Sequence, residues 1–154
     1  MLASLFLFSS IASFSAETIS GYWFGNDDED NRQFLVYRSD NGEYISLQQF
    51  LEDDTVVKWS IQFGYWELLD QKIVVSHVGT YDKNGVKTTG SCELETSSYQ
   101  VLEGNHDTLK YRSLDSNTVY VTYRTSPDKI SGNDFVDYIE VIIKGINMHR
   151  TNCE

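Results

Sequence analysis

The chain has 154 residues, and 12 Lys and Arg against 23 Asp and Glu give a formal net charge of −11. That length suits one domain, large enough to bury a core without help from a metal or a disulfide. So acidic a chain lacks the basic footprint of a nucleic-acid reader and repels anionic membrane surfaces, so neither partner is expected.

Residues Leu2 to Phe14 form an apolar run rich in Leu, Phe, Ala and Ser. It has the length of a signal-peptide core and is too short to span a bilayer as a helix. Ser13, Ser15 and Ala16 supply small residues: cleavage after Ser15 finds two of them in place, whereas cleavage after Ala16 leaves Phe14 at one recognition position. Residues 1–16 are therefore expected to be a removed signal peptide and residues 17–154 the mature domain. This predicts a secreted or periplasmic protein with no membrane insertion after cleavage. No Lys or Arg precedes the run, and the alternative is a buried first strand or helix.

The mature chain is rich in aromatics (10 Tyr, 8 Phe and 3 Trp) and has a single Pro, a composition that fits pleated, half-buried surfaces. Turn signals divide it at intervals typical of an antiparallel barrel or sandwich. Ser39-Asp40-Asn41-Gly42 separates Gln33–Arg38 from Glu43–Leu51, and Lys83-Asn84-Gly85 separates Lys72–Asp82 from a strand starting at Val86. Asn-Gly is a strong hairpin signal because both residues tolerate positive φ. Gly104-Asn105-His106-Asp107 and Asp115-Ser116-Asn117 bracket a further strand at Thr108–Leu114.

The clearest strand is Thr55–Leu69. Val57, Trp59, Ile61, Phe63 and Tyr65 share one face, and Lys58, Ser60, Gln62 and Gly64 share the other. Thr118–Thr125 alternates in the same way. From Phe135 the period changes: Phe135, Tyr138, Ile139, Ile142, Ile143 and Ile146 recur at helical spacing, with Asn133 as N-cap, Asp134 in the first turn, and Lys144 and Gly145 at the end. The β-branched content leaves a strand as the alternative. The expected architecture is all-β, an antiparallel eight- to nine-stranded barrel with one C-terminal α-helix. The two cysteines, Cys92 and Cys153, read as one disulfide in an oxidising compartment, or otherwise as two free thiols.

Gly21-Tyr22-Trp23, just after the expected mature start, resembles the Gly-x-Trp that opens the first barrel strand of lipocalins and the wider calycin superfamily. The resemblance implies that Trp23 plugs the closed end of a calycin-like barrel and that Arg124, near the end of the last strand, lies across it. It further implies a disulfide from the tail to a barrel strand and a small hydrophobic ligand in the lumen. The Thr-Asp-Tyr motif of typical lipocalins is absent, so the resemblance is to divergent lipocalin-like members. Gly21-x-Trp23-x-Gly25 is also similar to the nitrobindin-like barrels that hold haem, but their further Gly-rich signature is missing.

No constellation of residues points to catalysis or to a metal. The run Asn26-Asp27-Asp28-Glu29-Asp30-Asn31 and the fragment Asp82-x-Asn84-Gly85 lack the complete spacing of a calcium loop. His77, His106 and His149 stand singly, and no Gly-x-Ser-x-Gly elbow is present. Glu67 and Glu140 are only two among many acids. No cofactor is therefore expected. The expected function is binding of an apolar small molecule, with Val57, Trp59, Ile61, Phe63 and Tyr65 as candidate lumen residues, because an eight-stranded barrel has room for one small ligand. The alternatives are a filled barrel acting as a structural or protein-interaction module, and a barrel enzyme of isomerase or cyclase type.

Overall fold

A computed structural model of the chain describes residues 14–27, 30–127 and 135–153, with side chains from 138 onward in the last segment. The elements are α1 (Ala16–Ile19), β1 (Gly21–Asp27), β2 (Arg32–Arg38), β3 (Glu43–Glu52), β4 (Thr55–Leu69), β5 (Lys72–Asp82), β6 (Gly85–Thr88), β7 (Glu95–Gly104), β8 (Thr108–Ser113), β9 (Val119–Arg124) and α2 (Phe135–Cys153). The expected leader, apart from Phe14 to Ala16, lies outside the described residues, as do Asn133 and Asp134.

Every strand pairing is antiparallel. The order runs β1, β2, β3, β4, β5, β7, β8, β9 and back to β1, closing eight strands into a barrel. The ninth strand, β6, shares one edge of β5 with β7: β7 pairs along Lys72–His77 and β6 along Gly79–Asp82. The wall therefore parts at Val78, which is also the extra residue of a β-bulge opposite Phe63 and Gly64. A Cβ at Gly64 would sit 1.9 Å from the Ser76 carbonyl oxygen, so only glycine permits this approach.

The Asn-Gly hairpins form as expected, with Gly42 and Gly85 at positive φ. Two further hairpins use left-handed residues without glycine, Asp53-Asp54 between β3 and β4 and Asp70-Gln71 between β4 and β5. Short polar side chains such as Asp tolerate this conformation better than most.

Two cores stand back to back across the sheet. The inner one holds Trp23, Phe34, Val36, Tyr44, Trp66, Val75, Leu109 and Tyr111, drawn from strands all round the barrel. The outer one holds Leu35, Ile45, Leu47, Ile61, Phe63 and Val78, covered by Ile142 and Ile146 of α2. Helical spacing on α2 and strict alternation on β4 meet here, so the helix packs on the outside of the closed sheet. It runs to Cys153, beyond the end expected at Lys144 and Gly145. A Cβ at Gly145 would stand 3.9 Å from the Phe63 ring, while Ile146 is wholly buried and His149 nearly so, and this packing carries the helix past a residue of low intrinsic propensity.

Cys92 and Cys153 are bonded, with Cα atoms 5.5 Å apart. Cys92 lies in the segment between β6 and β7, so the bond ties the tail to a loop rather than to a strand. His149 reinforces the tie through Nε2 to the Ser91 carbonyl, 3.0 Å, and Nδ1 to the Tyr65 hydroxyl, 3.2 Å. Among the described residues no helix is long and apolar enough to cross a membrane.

Candidate functional site

The stripe expected to line the lumen lies on the other face of β4. Ile61 and Phe63 are fully buried beneath α2, Trp59 stacks on Tyr138 with ring centroids 5.8 Å apart, Tyr65 bonds the Ile146 carbonyl, and Val57 is exposed. Alternation identified the strand and could not orient it, because both faces of a barrel strand can be covered. The inward residues of β4 are the polar phase with Trp66 added, and Gln62 is the one that reaches the central space.

Trp23 and Arg124 are brought together. They are direct partners across β1 and β9, with the Arg124 guanidinium carbon 4.4 Å from the indole centroid. Arg124 also donates to the carbonyls of Ser20 and Thr18, both at 2.9 Å, and to that of His106. The indole Nε1–H donates to the Ile19 carbonyl, 2.8 Å. The indole N–H and all three guanidinium nitrogens are thus occupied, and the arrangement closes the barrel rather than offering a site.

Inside, side chains from β2, β3, β4, β5, β7, β8 and β9 converge on a cavity of about 60 Å³. That is on the order of two waters' share of liquid, far below the roughly 300–1,000 Å³ of a pocket that encloses a whole small-molecule ligand. Its lining is mixed: Phe34, Val36 and Val75 stand beside Arg32 and Arg38, Gln48 and Gln62, Ser46, and the hydroxyl-bearing rings of Tyr44, Tyr99, Tyr111 and Tyr120. The rings pack edge-on or tilted, Tyr99 on Tyr111 at 5.6 Å and Tyr111 on Tyr120 at 5.5 Å. Burial raises the pKa of Tyr44, and raises those of Tyr99 and Tyr111 to about 12, so all three are neutral donors at physiological pH.

The two arginines differ in their surroundings. Arg32 donates to the Asp27 carboxylate at 2.6 Å and to Gln48 Oε1 at 3.1 Å. Burial works against its charge, yet its bonds to Asp27 and Tyr120 hold its pKa above the ordinary value. The acidic run at 26–31 contributes here through Asp27, while Asp28 and Glu29 lie outside the described residues. Arg38 is 3% exposed and has no ion-pair partner among the described residues. Its Nε and Nη1 groups are buried without a hydrogen-bond partner. The Tyr111 side chain hydrogen-bonds the guanidinium, and its ring centroid lies 5.7 Å from the guanidinium carbon. A buried guanidinium left in this state is costly unless an anion meets it.

His77 stands edge-on to Tyr44 at 6.4 Å, and its Nε2 is 3.1 Å from the Ser97 hydroxyl. Burial lowers its pKa, and the Glu95 carboxylate partly offsets this. His106 is exposed in the β7–β8 turn beside Asp107, and His149 belongs to the disulfide tie. Glu67 and Glu140 are both exposed, and the Asp82 carboxylate accepts from the Asn84 N–H to shape its turn.

Arg38 is the candidate site residue that sequence reading missed. It precedes a turn, where a charged residue ordinarily reaches solvent. The available signal was its phase, since Arg38 alternates with Phe34 and Val36 on one face while Leu35 and Tyr37 occupy the other. A strand apolar on both faces is covered on both faces. No family model matches the chain, and a search of curated proteins finds no match, so the site rests on its own geometry.

Proposed function

We propose that the chain is an exported, lipocalin-like binding protein whose barrel takes the anionic head of a small molecule at Arg38. The observation that carries this reading is the pair of buried, unpartnered Arg38 nitrogens beside a cavity lined by neutral phenols. A carboxylate placed there receives charge-assisted hydrogen bonds from the guanidinium and further ones from tyrosine hydroxyls. The apolar ligand expected from β4 gives way to one with a charged head, because the lumen carries a buried cation and is too small for an alkyl chain. The amino-terminal apolar run and the bonded cysteine pair support export.

The test is calorimetric titration of the protein with acetate, beside the Arg38→Met variant. Saturable binding that the variant loses supports the reading; equal heats from both proteins, or none from either, end it. The second reading, a filled barrel working through its surface, draws on the exposed row Val119, Val121 and Tyr123 along β9 and gains if no acid binds.

A further inference from the structure

The lumen cavity holds a head group and no more, so the remainder of any ligand gripped by Arg38 lies outside it. Gln62 lines that cavity and also a groove of about 710 Å³, which falls in the range of small-molecule sites. The groove opens where β6 and β7 part along the edge of β5. A second link joins the two spaces: Ser97, in the groove, bonds both His77 and the Tyr99 hydroxyl, and Tyr99 lines the lumen.

The chemistry of the groove differs from that of a lipid carrier. Among the described residues lining it, Val78 is the one aliphatic side chain, and it is fully buried. Half of the rest carry hydroxyls, among them Thr80, Thr88, Thr89, Thr96 and Ser97. An alkyl chain laid here would strip water from those hydroxyls without replacing their hydrogen bonds, whereas a hydroxylated body replaces them. Glu93 and Glu95 also line the groove, with Lys87 as the one cation among its described lining residues. A second carboxylate on the ligand would meet this acidic pair, at a cost of repulsion and desolvation.

Resting on the reading of Arg38 as an anion site, we infer that the ligand is a hydrophilic monocarboxylate, its carboxylate in the lumen and a neutral, polyhydroxylated body in the groove between β6 and β7. Arg38 supplies affinity for the head. The threonine and serine hydroxyls select the body, and the two glutamates reject dianions. A fatty acid is thereby disfavoured despite the barrel's likeness to lipid carriers.

Calorimetry on the full chain tests this with four probes of graded chemistry: acetate, gluconate, octanoate and glucarate. Gluconate is expected to bind at least about tenfold more tightly than acetate, octanoate no more tightly than acetate, and glucarate about tenfold less tightly than gluconate. The Thr80→Val, Thr96→Val double variant changes two exposed side chains; it is expected to erase the advantage of gluconate while leaving acetate unaffected. Octanoate binding more tightly than gluconate, or a double variant that keeps the full advantage, overturns the groove assignment and leaves the Arg38 site standing. Absence of binding by every acid, or undiminished acetate binding to Arg38→Met, overturns both. Denaturation curves of each variant identify any loss that comes from misfolding.

Discussion

Arg124 lies across the indole of Trp23, 4.4 Å from its centroid, while three of its nitrogens bond backbone carbonyls of α1, its C-cap Ser20 and the β7–β8 turn. One side chain thus joins the first strand, the last strand and the plug between them. Arg124→Met keeps the stem and removes both the cation–π contact and the donors. We expect it to destabilise the barrel by about 2–4 kcal/mol, read as a shifted urea midpoint followed by Trp fluorescence. A change below about 0.5 kcal/mol, the scale of an ordinary surface substitution, would show the contact to be incidental.

Arg38 predicts the opposite sign. Its buried charge has no counter-ion among the described residues, so replacing it by an apolar side chain of similar length removes a cost from the empty barrel. Arg38→Met is expected to raise stability by about 1–3 kcal/mol in the absence of acids. Denaturation with and without acetate checks this. Wild type alone should gain stability from acetate, and a strongly destabilised variant would mean that Arg38 is satisfied within the barrel.

The outer face offers a control for the placement of the β4 stripe. Phe63 is fully buried between the sheet and α2 and does not border the lumen cavity. Phe63→Ala should cost about 3–5 kcal/mol and loosen α2, seen as faster amide exchange along the helix. The variant should still titrate acetate with the wild-type affinity under conditions where it remains folded. Loss of acetate binding from the folded variant would mean that the two faces of the sheet are not independent.

The disulfide closes a separation of 61 residues. In the chain-entropy account such a loop stabilises by about 4 kcal/mol. The Cys92→Ser, Cys153→Ser double variant should therefore unfold at markedly lower urea while keeping the far-ultraviolet signature of sheet and helix, since Ile142 and Ile146 still anchor α2. An unchanged midpoint would indicate that the helix is held by packing alone.

Tyr99 and Tyr111 give the barrel an alkaline limit. Burial raises both from the ordinary 10.0 to about 12, so the folded state holds these phenolic protons more tightly than the unfolded chain does. Their contribution is complete below about pH 10 and is lost as pH rises through about 12, on the order of 2–3 kcal/mol for one such tyrosine. Stability measured across this window should fall, with phenolate absorbance from the buried rings rising in step with unfolding. Tyr111→Phe should flatten the fall, and a flat profile in the wild type would contradict the assigned burial.

Much of the fold is legible in residue order. Period-two alternation delimits β4, Asn-Gly places the β2–β3 and β5–β6 turns, and a change to helical spacing announces α2. Gly21 is legible only in retrospect. It adopts φ +103°, and a Cβ there would stand 2.6 Å from Arg124 Nη1, so the glycine of Gly-x-Trp makes room for the arginine. α2 runs past the end that local signals place at Gly145, because a local propensity of about 1 kcal/mol is outweighed by the burial of Ile146 and His149 and by the bond at Cys153.

By itself, the sequence determined an acidic succession of alternating strands followed by a helix, because side-chain period and turn chemistry are local properties of the chain. It could not determine which face of those strands looks inward. In an open sheet the apolar face is the core, but a closed barrel with a helix on its wall buries both faces, and the greasier one here lies under the helix. Only the closure of β4 on β5 and the docking of α2 decided that Phe63 is a wall residue and that Arg38, polar and beside a turn, borders the lumen with Nε and Nη1 unbonded. That reversal follows from long-range packing, which no local pattern encodes.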